Sequence, residues 1–263
     1  MIPSNEPHLE DDLTGARGNM QAFLGIFLFL FLLLFSGSCK DEDPFFMELS
    51  LPAKEHSEHF TFHYDDGLTP DQVLPIIIAV EENYSPIVGH FGTSELPKIK
   101  IAIWSDRAEF DRAMNNKYPF ATGYLNGREE LRLFYVEKEV PRTAVHEFVH
   151  AVTMFVSNDF ANNPRWLWEA IAQYESGSFV NPNTLPYMVA GNYPTMNELS
   201  NEQGSQQRIY PLGYTIGEFI VGKWGYEGLR TLVENHGDMS KSLEITEAEF
   251  DQQWQKFVEE VYL

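Results

Sequence analysis

Apolar and polar residues alternate along Glu58–Tyr64, which predicts a strand, and Asp65-Asp66-Gly67 behind it predicts a turn. Thr69-Pro70-Asp71-Gln72 opens a helix expected to reach about His90, with Pro75 and Pro86 breaking its regularity. Lys98–Trp104 is a clear strand, and Ser105 or Asp106 caps a short helix toward Asn115. Ala121–Leu125 and Leu131–Val136 flank Asn126-Gly127, a strong hairpin signal. From Arg142 onward the apolar spacing becomes helical. An apolar run without Gly or Pro covers His146–Val152, and Asn163-Pro164 supplies an N-cap and a first helical residue for a second helix through Tyr174. Residues 177–209 are rich in Asn, Pro, Gly and Ser and predict a long functional loop, a candidate lid. Tyr210–Trp224, Tyr226–His236 and Glu247–Tyr262 follow as helices, the last with Phe250, Trp254, Phe257 and Val258 at core spacing. Strands first and helices after predict an α+β fold.

The chain of 263 residues opens differently. Residues 22–35 form an uncharged apolar run of fourteen, short for a membrane span and suited to a signal-peptide core. Ser36-Gly37-Ser38 and then Cys39, the sole cysteine, resemble a bacterial lipobox, which implies lipidation of Cys39 and a signal peptide over 1–38. Lys40-Asp41-Glu42-Asp43 resembles the export signal of surface-displayed lipoproteins, and the alternative is a simple secretory signal or an uncleaved anchor. Residues 1–21 carry four acidic residues against Arg17 alone, the wrong bias for a signal, so Met20 is the expected start. Residues 39–57 then read as a lipidated tether, being polar with two Pro and no clear period beyond Lys40.

With Cys39 acylated the mature chain holds no thiol, forms no disulfide and must stand on its core. Residues 58–263 are long enough for one domain, with an α/β sublobe over 58–160 and a helical sublobe over 161–263. The formal charge is −21; the 38 leading residues take away one basic and four acidic groups, leaving −18. Such a surface repels nucleic acid, and no basic patch offsets it. A monomer is expected.

The chemistry sits in His146-Glu147-Phe148-Val149-His150. Two His four apart on a helix share a face one turn apart, so both imidazoles can reach one ion. Glu147 can project toward a water held there. The bland reading, two partly buried His and a solvated Glu, loses weight at Glu169: that carboxylate stands among Leu167, Trp168 and Ile171, where it would be costly to bury unpaired. His₂Glu with an open fourth position is a standard catalytic zinc set.

His146-Glu147-x-x-His150, eighteen residues, then Glu169 in a Trp-Leu-x-Glu-Ala-x-Ala-x-Tyr setting resembles the gluzincin metallopeptidases, in the peptidase MA-like branch of thermolysin and aminopeptidase N. The resemblance spans about residues 140–225. It implies a zincin-like fold with the active site between the lobes, zinc (Zn2+) on His146, His150 and Glu169, Glu147 as general base, and peptide or protein substrates. Tyr210-Pro-Leu-Gly213 is similar to the Tyr-x-x-Gly whose Tyr stabilises the oxyanion, with Tyr214 a close rival. In that family the strand in the place of Leu131–Val136 lines the cleft and pairs with substrate backbone; the alternative is a plain sheet strand. There are departures. The Gly-x-Met-Glu-Asn exopeptidase signature is missing, which favours an endopeptidase. Ala170 stands where Gly is usual, and Gln173 replaces an acidic residue, so the partner that orients His146 is unassigned. The expected product is an envelope-anchored zinc metallopeptidase at the outer membrane; the alternative is an inactive zincin-fold lipoprotein acting as a binding or scaffolding module. His56, His59 and His63 form a second cluster, better read as exposed edge-strand histidines than as another metal site.

Overall fold

Five strands make one mixed sheet in the order β1-β2-β3-β5-β4. They are β1 Ala53–His56, β2 Phe60–Tyr64, β3 Ile99–Trp104, β4 Gly123–Leu125 and β5 Glu130–Phe134. β2, β3 and β5 run parallel, while β1 and β4 lie antiparallel at the two margins. The computed structural model describes residues 47–201 and 206–263. Cys39, the apolar run 22–35 and Met20 lie outside the described residues.

Helix α1, Pro70–His90, joins β2 to β3 and turns Val73, Ile76, Val80, Tyr84 and Ile87 inward. Its start is capped as the sequence predicts: the Gln72 side-chain oxygen accepts from the Thr69 backbone N–H at 3.0 Å. The helix nevertheless runs through Pro75 and Pro86. The short α2, Arg107–Ala113, is capped by Asp106, whose carboxylate accepts from the Glu109 N–H. Helix α3, Val140–Val156, follows β5 and packs on α1, with Phe148 stacked on Tyr84 at 5.6 Å and edge-on to Phe60 at 5.2 Å. Helix α4, Arg165–Glu175, starts one residue later than expected, because Pro164 itself is the N-cap, extended at ψ 145°. Short helices α5, Pro186–Val189, and α6, Met196–Asn201, lead to the long α7, Ile209–Glu234. Gly225, at φ 68°, breaks α7 between the two helices the sequence predicts. Helices α8, Met239–Leu243, and α9, Glu247–Tyr262, complete the chain.

The architecture is α+β, a small mixed sheet followed by helices. A smaller cluster gathers Ala102, Trp104, Phe110 and Met114, while the main core runs from Phe60 to Val258 and draws on both expected sublobes. The predicted aromatics of α9 supply part of that core: Phe250, Trp254 and Val258 are fully buried.

Three expectations need correction. Residues 47–57 are not tether: β1 pairs with β2, Leu49 and Leu51 pack against the cluster around Trp104 and Phe110, and buried Arg132 donates to the Met47 carbonyl at 2.6 Å. β1 escapes pattern reading because a margin strand with no buried side chain has no alternation. Leu131–Val136 is not an open edge, since β5 is paired on both sides and the hairpin places β4 outermost. Residues 177–209 are not a free loop: Met188, Met196 and Leu199 are fully buried, each in a helix too short to show a period.

Candidate metal centre

The site forms where α3 and α4 meet. His146 and His150 face out of α3 one turn apart, their Nε2 atoms 3.1 Å from each other. Glu169 Oε2 comes from α4 to 3.4 Å from His146 Nε2 and 3.9 Å from His150 Nε2. Among the described residues these are the one group of three His, Cys, Asp or Glu side chains placed to hold a metal ion, with ligand atoms all within 4.8 Å of one another. Tetrahedral ligands at about 2.1 Å from a shared ion stand roughly 3.4 Å apart, which these spacings bracket. Buried Glu169 Oε2 also has no hydrogen-bond partner, a cost that a cation removes. The three residues fit a metal ion.

The close approach of α4 to α7 sets the rest of the site. Gly213 and Gly217 face α4; a Cβ on Gly213 would lie 3.1 Å from Ala170 Cα, and one on Gly217 would lie 2.4 Å from Tyr174 Cβ. Gly213 is thus the space that lets α7 carry Tyr210, one turn earlier, to Glu169. The Tyr210 hydroxyl lies 3.4 Å from Glu169 Oε1. Tyr214 faces elsewhere, against Tyr174 at 5.3 Å and Phe179 at 5.2 Å. Of the two rival tyrosines, only Tyr210 touches a member of the triad.

Glu147, on the turn of His146, is buried, and β4 crosses directly over it: a Cβ on Gly123 would lie 2.5 Å from Glu147 Oε1. Burial raises the Glu147 pKa to about 7; His146 opposes that rise and the charge of Glu169 adds to it. Burial works against a charge on His146, but the Glu169 carboxylate beside it outweighs that effect and raises the His146 pKa, with Glu147 adding to the rise. His150 is driven well below its ordinary value by burial, then by the charges of His146 and Arg165, leaving the neutral imidazole that metals bind. Burial and Glu169 push the Tyr210 phenol up to about 12, so it keeps its proton at neutral pH.

Apart from Gln173, the remaining parts of the site escape sequence reading. Trp168 stacks on the His150 ring at 4.1 Å and 8°, while His150 Nδ1 is buried without a hydrogen-bond partner. The plane of this imidazole is therefore held by an aromatic face. Gln173 is buried with its methylenes against Gly213. Arg165 donates from Nη2 to the Tyr210 hydroxyl at 2.8 Å. Its position four residues before Glu169 is the one signal that could have revealed it. Gly123 gives no signal, for its reason lies on another element.

His56, His59 and His63 do not converge on a metal site. His59 Nδ1 lies 2.6 Å from Glu81 Oε2 with its ring stacked on Tyr84, His63 Nδ1 lies 2.9 Å from the Leu51 carbonyl, and His56 Nδ1 lies 3.3 Å from Thr61 Oγ1. His59 is thus a packed side chain and not an exposed one. No helix among the described residues is long and apolar enough to cross a membrane.

Compared with protein-family models and with curated proteins, the chain matches none.

Proposed function

We propose that this chain is a zinc metallopeptidase of zincin-like fold, acting on proteins or peptides at the bacterial envelope, to which a lipid on Cys39 ties it. The observation that carries the reading is the convergence of His146, His150 and Glu169 with Glu147 beside them. A structural site would be closed by a fourth protein ligand and would have no use for a buried carboxylate next to it. Two imidazoles and one carboxylate, nitrogen and oxygen donors, suit zinc. The chemistry such an ion supplies when bound is polarisation of the scissile carbonyl and acidification of water.

The protein groups divide the remaining work. Glu147 takes the proton of the attacking water and passes it to the departing amine, a task suited to a carboxylate held one residue from the first histidine ligand. Tyr210 donates a hydrogen bond to the developing oxyanion, where one well-placed donor is worth about 3 kcal/mol. Among the described residues β4 is the outermost strand on this side of the sheet and passes next to Glu147, which places it to run alongside an extended substrate. This role moves from Leu131–Val136 to Gly123–Leu125.

The test uses purified protein beginning at Cys39, with Cys39→Ser to remove the lipid. The reading expects about one zinc per chain and cleavage of casein that stops with a chelator and returns with zinc. Glu147→Gln should retain the zinc and lose turnover. Casein cleavage by Glu147→Gln at the parent rate would remove Glu147 from the mechanism. Full zinc without any cleavage by the parent would favour a binding module.

A further inference from the structure

The two oxygens of Glu169 face different worlds. Oε2 looks toward the histidine pair, while Oε1 looks toward Arg165 Nη1 at 3.6 Å and the Tyr210 hydroxyl at 3.4 Å. Arg165 in turn is held at several points. Nη2 donates to Tyr210 at 2.8 Å, Nη1 donates to Asn162 Oδ1 at 3.1 Å, and its guanidinium carbon lies 5.6 Å from the centre of the Tyr210 ring. Asn162 reaches it from a loop residue at φ 53°, a left-handed conformation that asparagine tolerates. The Arg165 side chain is only 20% exposed. A planar fork held this way has few alternative positions, and only a fork meets Tyr210, Asn162 and Glu169 together.

We propose that Arg165 is a positioning residue with two tasks. It draws Oε1 of Glu169 outward, so that Oε2 is the oxygen left for the metal, and it holds the Tyr210 hydroxyl beside the reacting carbonyl. The second task rests on the peptidase reading above; the first needs only the metal.

The charge of Arg165 makes the first task decisive by sign. A guanidinium near a metal site repels the ion, so its removal should tighten binding if charge were all that mattered. Positioning predicts the reverse. In Arg165→Met, zinc affinity measured by competition with a chromophoric chelator should fall on the order of 10- to 100-fold, the usual loss when an orienting partner of a ligand is removed. Unchanged or tighter binding would overturn the first task. Arg165→Gln, shorter and still polar, is read alongside in case the Met variant does not fold, and the same sign is required of it.

The second task is read in a double-mutant cycle with Tyr210→Phe. Arg165→Met alone should lower kcat with KM little changed. In the Tyr210→Phe background it should lower kcat no further, while its loss of zinc affinity persists; rates are compared at saturating zinc. If the two kcat losses simply multiply, Arg165 does not act through Tyr210. Should the parent enzyme cleave nothing, the peptidase reading fails on that result alone, and the zinc affinities still decide the first task.

Discussion

Alanine at Gly123 is the substitution whose effect follows most directly from the packing. A Cβ there would stand 2.5 Å from Glu147 Oε1, 2.6 Å from Thr143 Cγ2 and 2.9 Å from Glu147 Cγ. Non-bonded heavy atoms rest at about 3.5 Å or more, so something must yield by about 1 Å. The strand is poorly placed to do so: Gly123 is paired with Leu133, and the Phe134 N–H donates to the Thr122 carbonyl at 2.8 Å. The helix beneath is held by Ala144 and Phe148, both fully buried. The softest element is the Glu147 carboxylate, the far end of a flexible side chain. Overpacking costs on the order of 1–3 kcal/mol, of which alanine in a strand returns about 0.5–1 kcal/mol relative to glycine. The stability loss should therefore be modest. Displacing a catalytic group by about 1 Å costs on the order of 10²-fold in rate. Gly123→Ala should lower kcat on casein about 10²-fold, with zinc content unchanged and a melting temperature a few degrees below the parent's. A folded variant within about threefold of the parent rate would show that Glu147 does not need its present position, and the contact would lose its functional meaning.

Three other outcomes are expected. Tyr210→Phe should reduce kcat by roughly two orders of magnitude with zinc retained, whereas Tyr214→Phe should leave kcat near the parent value; the reverse pattern would transfer the oxyanion role. Trp168→Leu should weaken zinc binding in a chelator competition, because it removes the flat face that fixes the His150 ring, and unaltered affinity would show that the stack is only packing. Asp251 supplies a pH effect away from the site. Its carboxylate accepts from the Met196 N–H at 3.0 Å, but burial raises its pKa to about 6, the Met196 bond opposing that rise and nearby Glu247 and Glu198 adding to it. Between its ordinary value of 3.8 and about 6 the folded state binds the extra proton, so stability falls as pH rises through that window. Asp251→Asn should melt above the parent at pH 7.5 and lose that advantage toward pH 4; a difference independent of pH would contradict the assignment.

Much of the fold is legible from local pattern, because β2, α1 and α9 each bury one face and so carry a period, while β3 and α3 are buried more fully and read as apolar runs. The histidine helix is the clearest case: two donors and a carboxylate on one turn are a property of helical geometry that any sequence reader can use. The break of α7 at Gly225 is equally local. Elements without a buried face of their own are invisible, as β1 shows, and so are helices of one turn, such as α5. Which strand is outermost is a matter of pairing order, and alternation carries no record of it.

The sequence by itself determines what the site is made of. His146, Glu147 and His150 are joined by one helix, and the burial of Glu169 among large apolar residues already demands a partner. Tertiary structure decides how these pieces are tuned. Ala170 against Gly213 brings α7 close enough for Tyr210, and not Tyr214, to reach Glu169. Gly123 lets a strand pass over Glu147, Trp168 sets the plane of His150, and Arg165 assigns the two oxygens of Glu169. Each of these depends on atoms from different elements arriving within a few ångströms, and such meetings are fixed by the packing of the whole core rather than by neighbours along the chain.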